Sequence, residues 1–141
     1  MNIEREIQIV NTFIMPAKRE RYVGFLNSKK GRTKFVHTLY HFADFDPACI
    51  VAPPHSSTDL IAELRRRGAK DECYVMSVTK VLDGVTRPLE GVIRGAFALL
   101  EGSIVCCVPG VLAFYEGEAP KNRFILYSGR SNKTLQPPIR A

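Results

Sequence analysis

The apolar residues near the start of the chain repeat with the period of an α-helix. Ile3, Ile7, Val10 and Ile14 fall at positions i, i+4, i+7 and i+11, with polar residues between them. This spacing predicts an amphipathic helix. Ile7 also alternates with Ile9, so a strand remains an alternative for this segment.

A second helix is predicted directly after the first. Pro16 ends the first segment and suits the first turn of the next one, because its missing N–H needs no partner there. The helix reaches about residue 26, and we expect its apolar side to enter the core through Tyr22, Phe25 and Leu26.

The third helix is predicted after a break over residues 27–31, because Phe35, Leu39 and Phe42 recur at i, i+4 and i+7. Its opposite side carries cationic and imidazole groups. At 100° per residue, three side chains lie within about 60° of one another and point away from the apolar side: Lys34, His37 and His41. Lys30 joins them if the helix begins early.

A proline-bearing stretch and a fourth helix follow. Residues 44–54 contain three prolines, which indicates a loop over the surface. Ser56 or Ser57 can then cap a helix that ends at Gly68 and buries Leu60, Ile61 and Leu64. Three arginines at positions 65–67 fall in its last turn, where the unpaired carbonyl groups favour cations.

The second half of the chain favours strands. A short β-branched and aromatic run predicts a strand over residues 73–78, and Asp83 with Gly84 indicates a turn. Helical spacing over residues 89–100 predicts a fifth helix behind Pro88. A β-meander is expected over residues 103–108, 111–116 and 124–127. Its first strand is apolar on both faces and therefore belongs near the middle of a sheet.

These elements predict a single α+β domain over residues 1–128. Its helical N-terminal half packs on a small, mainly antiparallel sheet that includes the C-terminal meander. Residues 129–141 are polar and contain prolines, so we expect a tail that is either mobile or holds a partner. Two glycines on one side of the fifth helix, Gly91 and Gly95, leave room for a homodimer, a ligand or no special contact.

Composition is that of a soluble globular domain. The chain has 141 residues, of which 45% are apolar and 24% charged. No stretch approaches the roughly 20 apolar residues that span a bilayer, and the polar start does not resemble a secretory signal. We therefore expect a cytoplasmic protein with no membrane contact. Free, buried thiols are expected for Cys49, Cys73, Cys106 and Cys107.

The net charge of +6 is concentrated in one window. Between Lys18 and Lys34 there are seven bases and one acid, whereas acids and bases balance in the rest of the chain. Such a concentration attracts a polyanion or an acidic protein face. The candidate binding residues are the seven bases and the two neighbouring histidines: Lys18, Arg19, Arg21, Lys29, Lys30, Arg32, Lys34, His37 and His41.

Motifs for chemistry are weak. His37 and His41 have the spacing that places two imidazoles on one helix face, but a metal site needs further ligands such as Cys49 or His55. Asp44 and Asp46 could place two carboxylates on one side of an extended segment, as a site for a hard cation or an acid–base pair needs. A turn before Pro47 explains these two residues better. Glycine-rich phosphate loops and nucleophile elbows are absent from the sequence, so no cofactor is expected.

A solvated surface without a partner would explain the charged window, and two hypotheses of function also follow from it. The favoured one is a non-enzymatic binding module that contacts an acidic protein partner or a phosphate backbone through its basic helices. Seven phosphate contacts on duplex DNA would give a log–log salt slope of about −6. The alternative is a small enzyme that acts on an anionic substrate in a pocket between the meander and the helices.

Overall fold

The computed structural model describes residues 1–95, 100–118 and 122–129, and within them the chain has the predicted α+β architecture. The α-helices of this part are α1 (Ile3–Phe13), α2 (Arg19–Leu26), α3 (Lys29–Thr38) and α4 (Ser57–Arg66). Short 3-10 turns cover Pro16–Lys18, Leu39–His41 and Pro47–Cys49, and a π-helical turn covers Gly91–Gly95. The strands are β1 (Ile50–Val51), β2 (Glu72–Ser77), β3 (Val85–Pro88), β4 (Ser103–Val108), β5 (Leu112–Glu116) and β6 (Arg123–Tyr127).

Helix α1 forms as predicted, but its buried side is rotated from the predicted one. The Asn2 side chain accepts a hydrogen bond from the Arg5 N–H and so caps the helix. The buried residues of the helix are Glu6, Ile9, Val10 and Phe13, whereas Ile3 is exposed. The strand alternative for this segment is therefore wrong.

The corner between α2 and α3 is tighter than the predicted break. Only Asn27 and Ser28 separate the two helices, and the Ser28 hydroxyl accepts a hydrogen bond from the Gly31 N–H. A Cβ atom on Gly31 would lie 2.3 Å from the Phe25 carbonyl oxygen. Glycine at this position therefore lets the two helices approach each other.

All pairings in the sheet are antiparallel, and the strand order is β1-β6-β5-β4-β2-β3. β4 lies between β5 and β2, which confirms the central position predicted from its two apolar faces. Gly110, in the turn between β4 and β5, has a φ of 76°, a left-handed conformation that glycine adopts without strain.

A hydrophobic core fills each face of the sheet. On one face, side chains of α1, α2 and α3 pack against Tyr74, Met76, Ile104 and Tyr115. On the other face, α4 and the π-helical turn pack against the alternate residues of the same strands. The Tyr115 hydroxyl donates a hydrogen bond to the Leu39 carbonyl at 2.6 Å, which anchors the end of α3 to the sheet.

Three sequence predictions need correction. Residues 44–54 are not only a loop, because β1 forms there and pairs with β6. β3 pairs with β2 just before the predicted fifth helix. The predicted fifth helix begins at residue 89, but its described part continues as the π-helical turn Gly91–Gly95, and residues 96–99 lie outside the described part. The predicted tail likewise falls almost entirely outside it.

Candidate interaction surface

The nine candidate binding residues separate into a paired group and an exposed group. Arg32 lies on the side of α3 that faces the core, because Phe35 and Val36 follow it by three and four residues. Its side chain is only 8% exposed and is held between the carboxylates of Glu6 and Asp83. Arg32 is therefore not available to an external partner, which corrects its place in the predicted set.

Arg32 is the centre of a buried polar network. Its guanidinium donates to both Glu6 oxygens at 2.8 and 2.7 Å and to both Asp83 oxygens at 2.7 and 2.8 Å. The hydrogen bonds to Asp83 and Glu6 raise the pKa of Arg32 against the opposing effect of burial. The Tyr74 hydroxyl also donates to Glu6, at 2.6 Å. Burial, followed by this hydrogen bond, raises the pKa of Tyr74 to about 12. The network joins α1, α3, β2 and the turn before β3.

Lys18 and Arg19 are also paired. Lys18 Nζ lies 3.2 Å from Asp44 Oδ1, and Arg19 Nη2 lies 3.9 Å from Asp46 Oδ2. The Tyr22 hydroxyl donates to the other Asp44 oxygen at 2.5 Å. This hydrogen bond and Lys18 lower the pKa of the Asp44 carboxyl, while burial acts in the opposite direction. The two aspartates thus neutralise the start of the predicted basic window.

The exposed group consists of Arg21, Lys29, Lys30 and Lys34, which we call the basic face. All four side chains belong to exposed residues of α2 and α3. None of them forms an ion pair with a carboxylate in the described part of the chain. Arg21 contributes to lowering the Asp44 pKa through space, but only as the weakest of its favourable partners.

Two cations of the basic face lie within cation–π distance of one aromatic ring. The Arg21 guanidinium carbon lies 5.7 Å from the centre of the Phe25 ring, and Lys34 Nζ lies 5.5 Å from it. Both distances are within the range of cation–π attraction. Phe25, which the sequence places in the core, is only partly buried beneath these two groups. The Phe25 ring thus offers a favourable contact to one cation from each of two neighbouring helices.

The two histidines lie on the exposed side of α3 and of the turn that follows it. His37 is exposed, and His41 Nε2 lies 2.8 Å from Glu118 Oε1. Neither Cys49 nor His55 joins them, since the described residues contain no group of three or more potential metal ligands. His37 therefore extends the basic face at one end, and His41 is engaged by an acid.

Comparisons with known proteins add no information about function. No protein-family model matches the chain, and no curated protein or solved structure is similar to it. Among the described helices, none is both long enough and apolar enough to cross a membrane.

Grooves near the sheet bear on the enzyme hypothesis. A groove of about 560 Å³ between the chain after β1 and strand β6 is lined by Pro53, Pro54, His55, Arg123 and Phe124, among others. Arg123 is paired with Glu116 at 3.1 Å. Among the described residues that line this groove, the titratable side chains are therefore His55 and the paired Arg123.

A second groove, of about 300 Å³, touches Cys106 and Cys107. Burial raises the pKa of Cys106 to about 11 and that of Cys107 well above its ordinary value. Both thiols are thereby kept in the protonated form, which is a poor nucleophile. All four cysteines are free and buried, as predicted.

Sequence reasoning missed the partners of Arg32, namely Glu6, Tyr74 and Asp83. A signal for Glu6 was present, because Ile9 and Val10 follow it by three and four residues and so place it on the buried side of α1. A carboxylate and a guanidinium on the buried sides of two helices indicate a buried pair. Asp83 gave no such signal, since it sits in a turn whose position depends on the tertiary fold.

Proposed function

We propose that this protein is a non-enzymatic binding module that docks an acidic segment of another protein on its basic face. The proposal depends on one observation: the cations of the charged window fall into an internally paired group and an exposed, unpaired group. Arg32, Lys18 and Arg19 have internal carboxylate partners, whereas Arg21, Lys29, Lys30 and Lys34 have none among the described residues. Carboxylates from outside would supply the missing partners.

The local energetics support this proposal. Lys29 and Lys30 lie in the first turn of α3, which contains no acidic residue. Cations at this end oppose the helix dipole at a cost of about 0.3 to 1 kcal/mol each. Lys30 and Lys34 are also four residues apart on one helix, which adds repulsion of about 0.2 to 0.5 kcal/mol. An acidic partner would relieve both unfavourable terms.

A protein partner fits the basic face better than a nucleic acid does. Arg21 and Lys34 both lie within cation–π distance of the Phe25 ring, so a base that stacked on this ring would compete with them. Four exposed cations are also fewer than the seven counted in the sequence, which reduces the expected salt slope on duplex DNA to about −3.6.

The test is a binding titration with a labelled polyglutamate peptide, followed by fluorescence anisotropy. At about 50 mM salt we expect saturable binding that weakens as salt is added, because exposed charges are screened. The double variant K30E/K34E should weaken binding by at least about tenfold, since it replaces attraction by repulsion. The matched control is K70E/K80E, which makes the same change of charge at two exposed lysines outside the basic face.

The outcomes separate the hypotheses. Equal loss of binding in K30E/K34E and K70E/K80E would show that only net charge matters, and it would overturn the proposal. Binding of duplex DNA with a slope near −3.6, without binding of polyglutamate, would replace the acidic protein by a phosphate backbone. Loss in K30E/K34E alone supports the basic face.

A further inference from the structure

A groove of about 510 Å³ lies at the N-terminal end of α3, next to the basic face. Its walls come from the start of α1, the corner between α2 and α3, and the turn before β3. The residues that matter for its chemistry are Met1, Ile3, Leu26, Lys29, Arg32 and Asp83.

The upper wall of the groove is apolar and open to solvent. Met1 is 77% exposed and Ile3 is 41% exposed, and both are among the most exposed large hydrophobic residues of the described part. Ile3 belongs to the apolar repeat of α1, yet it lines the groove instead of entering the core. Leu26, which is 3% exposed, also lines the groove. Exposed apolar surface at the edge of a groove is typical of an interaction site.

Two of the charged residues that line the groove, Arg32 and Asp83, are paired with each other. Arg32 reaches the groove, but its guanidinium already binds both carboxylate oxygens of Glu6 and of Asp83. A partner carboxylate placed here would meet Asp83 and gain no free donor from Arg32. An apolar group suits the groove better than a carboxylate does, because Met1, Ile3 and Leu26 line it beside the uncharged Asn27, Ser28 and Thr33. The unpaired cation Lys29 stands at the rim.

We propose that the groove receives an apolar side chain of the acidic partner segment, while the flanking carboxylates of that segment lie on Lys29 and Lys30. This inference rests on the proposed function and adds the composition of the bound segment: one leucine-like residue between acidic residues. A second copy of this chain is the wrong occupant on charge, because two molecules of net charge +6 repel each other.

The experiment compares two labelled peptides on the intact protein. One consists of glutamates with a single central leucine, and the other has serine in place of that leucine. We expect the leucine peptide to bind about five to ten times more tightly, because part of its side chain leaves water in the groove. This comparison uses the unmodified protein and does not depend on the folding of any variant.

A variant then assigns the preference to the groove. Ile3→Ser removes apolar surface from the wall at the first position of α1, where serine is compatible with the helix start. It should abolish most of the preference for leucine. The matched control Val81→Ser removes an exposed apolar side chain that does not line the groove and should keep the preference. Far-ultraviolet circular dichroism verifies that each variant is folded.

Each result has one meaning. If both peptides bind the unmodified protein equally, the groove inference is wrong while the proposed function stands. If neither binds, both are wrong. If leucine is preferred but folded Ile3→Ser keeps that preference, the leucine binds elsewhere and the groove inference is overturned.

Discussion

Arg32 Nη1 lies 2.7 Å from Asp83 Oδ2, which joins the middle of helix α3 to the turn before the edge strand β3. The other Asp83 oxygen accepts a hydrogen bond from the Ser77 N–H at the end of β2. One carboxylate thus fixes a helix, a strand end and a turn. The arginine that carries this contact was counted among the surface cations by sequence alone.

Replacing Arg32 should destabilise the fold strongly. Arg32→Met leaves the fully buried Glu6 carboxylate without its cation, and we expect a loss of about 3 to 5 kcal/mol in the free energy of unfolding. Urea denaturation followed by circular dichroism measures this loss. Lys34→Met on the exposed side of the same helix serves as the control and should change stability by less than about 0.5 kcal/mol. Similar losses in the two variants would contradict the buried network.

Asp44 should make stability depend on pH in the acid range. The Tyr22 hydroxyl and Lys18 lower the pKa of this carboxyl in the folded state, so the folded state favours its ionised form. Its contribution is present above the ordinary pKa of about 4 and is lost as pH falls through the lower folded value. Comparison of Asp44→Asn with the unmodified protein at several pH values should show a smaller acid-induced loss in the variant. If the free energy of unfolding of the two proteins fell equally with decreasing pH, this role of Asp44 would be refuted.

Two glycines of neighbouring helices should respond to alanine in opposite directions. Gly31→Ala places a Cβ atom 2.3 Å from the Phe25 carbonyl oxygen and should cost about 1 to 3 kcal/mol. Gly24 lies within α2 and has no heavy atom within 4 Å of its Cβ position. Gly24→Ala should therefore gain about 0.5 to 1 kcal/mol from helix propensity. Urea unfolding of both variants tests the pair, and a gain in Gly31→Ala would disprove the close approach.

The thiols should react only when the protein unfolds. Burial raises the pKa of Cys73 to about 12 and that of Cys106 to about 11, so little thiolate forms near pH 8. We expect Ellman's reagent to modify the native protein at a rate that follows unfolding, and to modify all four thiols at once in urea. A thiol that reacts within the mixing time of the native sample would be inconsistent with this burial.

The sequence predicts regular elements well where many local signals agree. The Ser56 cap, the Leu60, Ile61 and Leu64 repeat and the stop at Gly68 all indicate α4, and the helix forms between them. The central position of β4 also follows from composition, because both of its faces are apolar and both are covered.

The missed strands lack local signals. β1 has only two residues and gains its identity by pairing with β6, which lies far away in the chain. β3 contains Arg87 and Pro88 and is mostly exposed, so neither alternation nor hydrophobicity marks it. Pairing decides both elements, β1 with the distant β6 and β3 with the preceding strand β2.

The candidate surface could be predicted only in part. Counting charges locates the basic window, but it treats every cation as exposed. Helix periodicity places Lys34 opposite the core and Arg32 toward it, and this distinction is available from sequence. The pairing of Lys18 with Asp44 depends on how the chain returns to α2 after α3, which no local pattern determines.

Both margins of the sheet carry proline, which lacks the N–H that a further strand would need. At the β1 margin, Pro53 and Pro54 follow a two-residue strand, and at the other margin β3 ends in Pro88. Prolines at these positions cannot donate a backbone hydrogen bond to an added strand, so they disfavour edge-to-edge pairing of two molecules through the sheet.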